Sequence, residues 1–236
     1  MKALIVRGGW TGHDPVETGD IAARELRAEG FDVEVAGALD ALRDRESLFG
    51  LDLIVPIWTM GSIEKEQLQP LLAAVKAGVG LGGWHGGMCD AFRQAPDYQF
   101  MTGGQWVAHP GNAAAHYTVR MGPTTSPITA GLSDFSVTSE LYYMHVDPGV
   151  TVLAYTLVAP ANGAGDPYSA EAQADVEAGR VPGITMPVVW TKRFGKGRVF
   201  HLTLGHKADI FDIPEALTLM RRGLVWAAEG KASAAG

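Results

Sequence analysis

The chain has 236 residues, and 19 Lys and Arg against 26 Asp and Glu leave a net charge of −7. Hydrophobic residues make up 47 %, too many for a disordered chain. A single cysteine, Cys89, excludes a disulfide-stapled domain, no window approaches the ~18 apolar residues of a membrane span, and the acidic balance gives no footprint for nucleic acid.

The first half alternates strand and helix. Lys2–Val6 is a short apolar run that ends in the glycine loop Arg7–Gly12. It is too short for the core of a signal peptide, so a cytoplasmic protein is expected. Pro15–Glu29 reads as a helix stopped by Gly30, and Phe31–Val35 as a second strand. Asp40 caps a short helix toward Leu48. Leu51–Trp58 is a third strand, Glu64–Ala77 a helix closed by Gly78, and Val79–Trp84 a fourth strand thinned by glycine. This order predicts a parallel sheet.

The second half is less regular. Tyr117–Met121, Ser136–Ser139, Val150–Val158, Val188–Phe194 and Val199–Thr203 read as strands, and Pro214–Ala228 as a closing helix. Residues 159–182 read as a long surface loop with one helical turn near Ala170–Ala178. A single α/β domain over residues 1–230 and a flexible tail at 231–236 are expected.

Ligands of open parallel sheets bind beyond the carboxyl ends of the strands. The loops Gly8–Asp14, Trp58–Ser62 and Gly83–Asp90 lie there, each combining tryptophan, polar groups and glycine. Gly83-Trp84-His85-Gly86-Gly87 has the spacing of a nucleophile elbow with histidine at its apex. His85 can serve as an acid, a base or a metal ligand, but not as an acyl-forming nucleophile. Cys89, four residues on, reads as a buried structural thiol. Of the seven histidines, His13, His85, His109 and His206 fall in strand-end or turn segments, and His116 and His201 in or beside strands. Glu140 stands between an apolar strand and Leu141-Tyr142-Tyr143, as a surface acid or as a base or ligand with a tuned pKa. Trp10, Trp58, Trp84, Trp106 and Trp190 suit stacking on sugar rings and equally suit a core.

Several blocks together resemble the ThuA-like (trehalose utilisation) family. They are Gly82–His85, Thr102–Pro110, Ser126–Leu132, Glu140-Leu141-Tyr142, Pro187–Lys192, Gly195–Phe200 and Leu204-Gly205-His206. The resemblance implies a flavodoxin-like three-layer sandwich related to class I glutamine amidotransferases, with a mainly parallel sheet and histidine in place of the catalytic cysteine. It implies a carbohydrate-utilisation enzyme, a hydrolase or isomerase, acting on a disaccharide, glycoside or keto-sugar. A non-catalytic sugar-binding or assembly subunit is the alternative. Carried over residue by residue, it points to His85, Glu140, His206 and His109 as catalytic groups. Trp10, His13, Trp58, Trp84, Tyr142 and Trp190 are the expected substrate contacts. A divalent metal, Zn or Mn, would sit on His85, Glu140 and His206. A small-molecule sugar is the expected partner, without nucleic acid, membrane or nucleotide cofactor, and homo-oligomerisation is left open.

Overall fold

The computed structural model describes residues 1–160 and 169–233. The alternating first half comprises β1 (Lys2–Gly9), α1 (Pro15–Ala28), β2 (Asp32–Ala36), α2 (Arg45–Gly50), β3 (Leu53–Thr59), α3 (Lys65–Ala77) and β4 (Gly80–Trp84). Two short helices follow, α4 (Gly86–Cys89) and α5 (Pro96–Thr102). Strands β5 (Gly104–Ala108), β6 (His116–Met121), β7 (Phe135–Thr138), β8 (Tyr143–Val146) and β9 (Thr151–Val158) come next. Helix α6 (Ala170–Glu177), β10 (Ile184–Phe194), β11 (Gly197–Leu202) and α7 (Pro214–Ser233) complete the described chain.

Nine strands join in the order β2-β1-β3-β4-β11-β10-β9-β6-β7, and β5 pairs with β8 in a separate ribbon. The core, from β2 to β11, is parallel. Strands β10, β9, β6 and β7 extend it through antiparallel pairs. The protein is thus a mixed α/β three-layer sandwich, with a larger sheet than the alternating first half alone predicts.

Alternation along the central strands explains the layers. Ala3 and Ile5 of β1 join a core with Ala22 and Leu26 of α1 and Leu219, Met220 and Leu224 of α7. Leu4 and Val6 face the other side, toward Leu48 of α2, Leu71 and Leu72 of α3, and Tyr98 and Met101 of α5. Strands covered on both faces read as continuous apolar runs, which is how β1 and β3 look in the sequence. Helix α3 starts with a reciprocal cap between Glu64 and Gln67. The glycines of β4 have a packing reason: a Cβ on Gly80 would lie 2.4 Å from the Ala227 carbonyl oxygen, so glycine lets α7 lie directly on the strand.

Some elements differ from expectation. The turn-like segment around Gly104–Pro110 contains β5, a short strand with a register shift between Trp106 and Ala108. Helix α5 has only seven residues, too few for a helical period to show. Helix α6 matches the helical turn expected inside 159–182, and residues 161–168 of that loop lie outside the described residues. Helix α7 continues past Ala228 to Ser233, with Lys231 Nζ donating to the carbonyls of Phe49 and Leu51. Residues 234–236 of the expected tail lie outside the described residues. No described helix is long and apolar enough to cross a membrane.

The chain leaves β1 first to one side, to β2, and then to the other, to β3. The carboxyl ends of β1 and β3 therefore flank a switch point, where open α/β sheets place their ligands.

Candidate metal centre

Loops at this edge deliver the site. His13 follows β1, His85 follows β4, His206 follows β11, and Glu140 reaches in from the crossing between β7 and β8. One ligand atom from each of the four lies within 4.8 Å of all the others. The structure thus brings together His85, Glu140 and His206, the set expected to hold a metal, and adds His13, expected among the substrate contacts.

The backbone at His85 makes the elbow. Its φ of 49° and ψ of −140° are unusual for a residue with a side chain, and such strain persists only where the surroundings enforce it. His85 N donates to the Leu202 carbonyl, and its own carbonyl accepts from Met88 N and Cys89 N. A Cβ on Gly87 would lie 2.9 Å from Ile57 Cα and 3.0 Å from the Pro56 carbonyl oxygen, so only glycine lets the turn rest on β3.

Glu140 Oε2 is the hub. His85 Nε2 lies 3.1 Å from it, His206 Nδ1 3.2 Å and His13 Nε2 3.8 Å. Burial works to raise the Glu140 pKa, but the three converging imidazoles outweigh it and hold the carboxyl well below its usual range. That stabilisation needs ring N–H groups aimed at the carboxylate, protonated rings, or a cation among them. At His85 the ring proton has another place. Its Nδ1 is 2.7 Å from the Thr203 carbonyl, which can only accept, so Nδ1 carries the hydrogen. Burial also pushes the His85 pKa down to about 4, despite the nearby Glu140. At neutral pH its Nε2 is therefore a bare lone pair facing a carboxylate. His206 Nδ1 is buried 3.2 Å from Glu140 Oε2, without the direction of a good hydrogen bond to it.

A divalent cation fits this arrangement. Bonds of ~2.0–2.1 Å to a tetrahedral ion place neighbouring ligand atoms about 3.3–3.4 Å apart. The separations from Glu140 Oε2 bracket that spacing. Three imidazoles and one carboxylate suit Zn or Mn better than Mg, which prefers an oxygen shell.

The surroundings hold the donors in place. Tyr142 stacks on the His85 ring with centroids 3.9 Å apart. His13 Nδ1 is 2.9 Å from Thr59 Oγ1. Asp14, next to His13, accepts from Lys207 Nζ and Ala208 N, next to His206, at 3.1 and 3.2 Å. These bonds lower the Asp14 pKa although burial works against them.

A family model described as trehalose utilisation, ThuA, matches residues 2–227. The chain belongs to the ThuA family. A ThuA-like protein from Bacteroides uniformis shares 17 % identity, with 99 % of this chain and 93 % of that one covered at a TM-score of 0.74. One from Parabacteroides merdae shares 19 % over 98 % and 91 %, at 0.72. A cytoplasmic protein from Salmonella typhimurium shares 15 % over 96 % and 99 %, at 0.67. At these identities the likenesses show a shared fold. The sequence matches no curated protein.

The other residues singled out for this ThuA family member lie at varying distances from the cluster. Trp10 is 46 % exposed, with its ring edge-on to His13 at 4.8 Å. His109 is outside the four-residue group; its ring lies 5.4 Å from Trp106, which in turn meets Tyr142. Tyr142 is buried under His85 and presents little free face. Trp58 is half-buried against the core on the α3 side, in contact with Gly8. Trp84 packs on Phe211 inside the core. Trp190 is fully buried, stacked on His201 and donating from Nε1 to the Thr102 carbonyl. Trp84 and Trp190 thus form core packing and have no open face for a sugar. Cys89 is fully buried with Sγ donating to the His85 carbonyl, and burial pushes its thiol well up, which removes it as a nucleophile. Asp14 and Thr59 lie in loops that the sequence marks, and Thr203 and Lys207 lie outside them, but the role of each rests on partners far away along the chain.

Proposed function

We propose that this ThuA family member is a metal-dependent enzyme of carbohydrate metabolism, a hydrolase or isomerase acting on a disaccharide, glycoside or keto-sugar derivative. One observation carries the reading: the bare His85 Nε2 faces the Glu140 carboxylate at 3.1 Å in a buried site, an arrangement that calls for a cation. Zn or Mn on His13, His85, Glu140 and His206 would supply a Lewis acid that polarises a sugar carbonyl or hydroxyl and acidifies a bound water.

The chain's own residues have distinct tasks. His85 and His13 offer Nε2, with Nδ1 of each turned outward to a threonine oxygen. Glu140 supplies the negative charge. Trp10, exposed beside His13, gives the sugar an apolar face to lie against. His109, half-buried near Trp106, stands ready to exchange a proton at the rim. The order β2-β1-β3-β4-β11 supports reading the parallel half as a flavodoxin-like unit. The family's description supports the sugar substrate, and the name of the Salmonella protein supports a cytoplasmic location.

Turnover of a 3-keto-disaccharide by metal-loaded protein tests the reading. His85→Ala is expected to lose at least about a hundredfold. Normal turnover by a folded His85→Ala protein would refute the role. Calorimetric sugar binding with no product by mass spectrometry would favour a binding subunit instead.

A further inference from the structure

We propose that Thr59 is a positioning residue that fixes the tautomer of His13. Its hydroxyl oxygen accepts the Nδ1 proton, so that Nε2 turns a lone pair toward the point His85, Glu140 and His206 share. The consequence for metal affinity rests on the metal reading above; the tautomer itself does not.

Thr59 ends β3, and His13 lies in the loop after the neighbouring β1. The 2.9 Å contact between Thr59 Oγ1 and His13 Nδ1 is buried on both sides, with the residues 4 % and 6 % exposed. A neutral imidazole carries one ring proton, and two arrangements satisfy this contact. If the hydroxyl donated to Nδ1, the proton would sit on Nε2. Its nearest carboxylate oxygen, on Glu140, is 3.8 Å away, and the N–H would then have no carboxylate oxygen within hydrogen-bond reach. If Nδ1 donates to Oγ1, no N–H is stranded. Nε2 then matches the Nε2 of His85, whose Nδ1 is held by the Thr203 carbonyl. Thr59 thus does for His13 what a main-chain carbonyl does for His85.

The packing allows little alternative. A Cβ added to Gly86 would lie 2.7 Å from Thr59 Oγ1 and 2.8 Å from His13 Nδ1, so the elbow is pressed directly against this bond. The Thr59 carbonyl also accepts from Trp10 N at 3.2 Å, tying the His13 loop to β3 a second time. Groups that orient metal-binding histidines in this way typically contribute 10–100-fold to metal affinity.

The experiment compares wild type, Thr59→Val and Thr59→Ser. Long-range ¹H–¹⁵N NMR of the metal-free protein reads the histidine tautomers, and titration with ZnCl₂ against a chromophoric chelator reads affinity. The expected result is Nδ1–H on His13 in the wild type, loss of that single tautomer in Thr59→Val with a 10–100-fold weaker Zn²⁺ affinity, and recovery of both in Thr59→Ser. An Nε2–H tautomer in the wild type overturns the inference, as does an unchanged Zn²⁺ affinity in Thr59→Val. If the wild type binds no Zn²⁺, the proposed function fails instead. The NMR arm then decides alone: Nδ1–H lost in Thr59→Val supports the role of Thr59, and Nε2–H in the wild type refutes it. Should Thr59→Val fail to fold, the wild-type tautomer and the Thr59→Ser protein give the same decision.

Discussion

Gly86→Ala probes the elbow where it meets the site. The new methyl would lie 2.7 Å from Thr59 Oγ1, 2.8 Å from Thr59 Cγ2 and 2.8 Å from His13 Nδ1, whereas ordinary contact begins at 3.4 Å. Each atom must retreat by about 0.6–0.7 Å, the size of a core overpacking that costs about 1–3 kcal/mol. For a chain of this length that is a fall in Tm of roughly 2–12 °C. The retreat also carries the His13 ring with it, and His13 Nε2 already sits farthest from Glu140 Oε2, at 3.8 Å. Zn²⁺ affinity is therefore expected to fall at least about tenfold, the lower bound for disturbing a ligand's outer support. Gly83→Ala is the control. There the closest atoms are those of the buried Met88 side chain, at 2.8 and 3.0 Å, and the Pro56 carbonyl oxygen, at 3.1 Å, and none belongs to the four donors. Differential scanning calorimetry with and without ZnCl₂ separates the two effects. A Gly86→Ala protein with wild-type Tm and wild-type zinc affinity would refute the packing argument.

Three further outcomes follow from the structure. Asp14→Ala cuts the link between the His13 and His206 loops; the half-exposed ion pair is worth less than about 1 kcal/mol of stability, yet Zn²⁺ binding should weaken several-fold, and wild-type affinity in both Asp14→Ala and Lys207→Met would show that the link positions nothing. His201 is fully buried with neither ring nitrogen hydrogen-bonded, and burial pushes its pKa well below the ordinary ~6.5. The unfolded chain therefore binds a proton there that the native state refuses; the native advantage is complete above pH ~6.5 and is lost as pH falls below it, at about 1.4 kcal/mol per pH unit. His201→Phe should remove one proton's worth of that acid slope in urea titrations from pH 7 to 5, and an unchanged slope would contradict the burial argument. Trp190→Phe leaves the buried Thr102 carbonyl without its donor and should cost about 1–3 kcal/mol while zinc affinity stays the same; a large loss of zinc binding would place Trp190 in the site after all.

The sequence showed what is local. The apolar runs of β1 and β3, the Gly78 stop of α3 and the glycine-flanked His85 each carry their structure within a few residues. His85 and His206 could be singled out because strand-end loops in a parallel sheet converge. His13 entered only as a substrate contact, because its part in the cluster depends on β3 lying between β1 and β4. Trp10 and Trp190 illustrate the limit more sharply. Both follow apolar or glycine-rich stretches, yet one is 46 % exposed at the site and the other, on β10, is fully buried. The β5–β8 ribbon was unreadable for a similar reason. Gln105 pairs with His145 across a long stretch of chain, and nothing near either residue announces the partner.

The most direct test of the whole account is the metal content of the purified chain. Wild type, His85→Ala and Glu140→Ala are equilibrated with a slight excess of ZnCl₂, dialysed, and measured by inductively coupled plasma mass spectrometry. One zinc per wild-type chain, lost in both folded variants, is the expected result. A wild-type chain that retains no zinc or manganese, or variants that retain as much as the wild type, would contradict the metal centre.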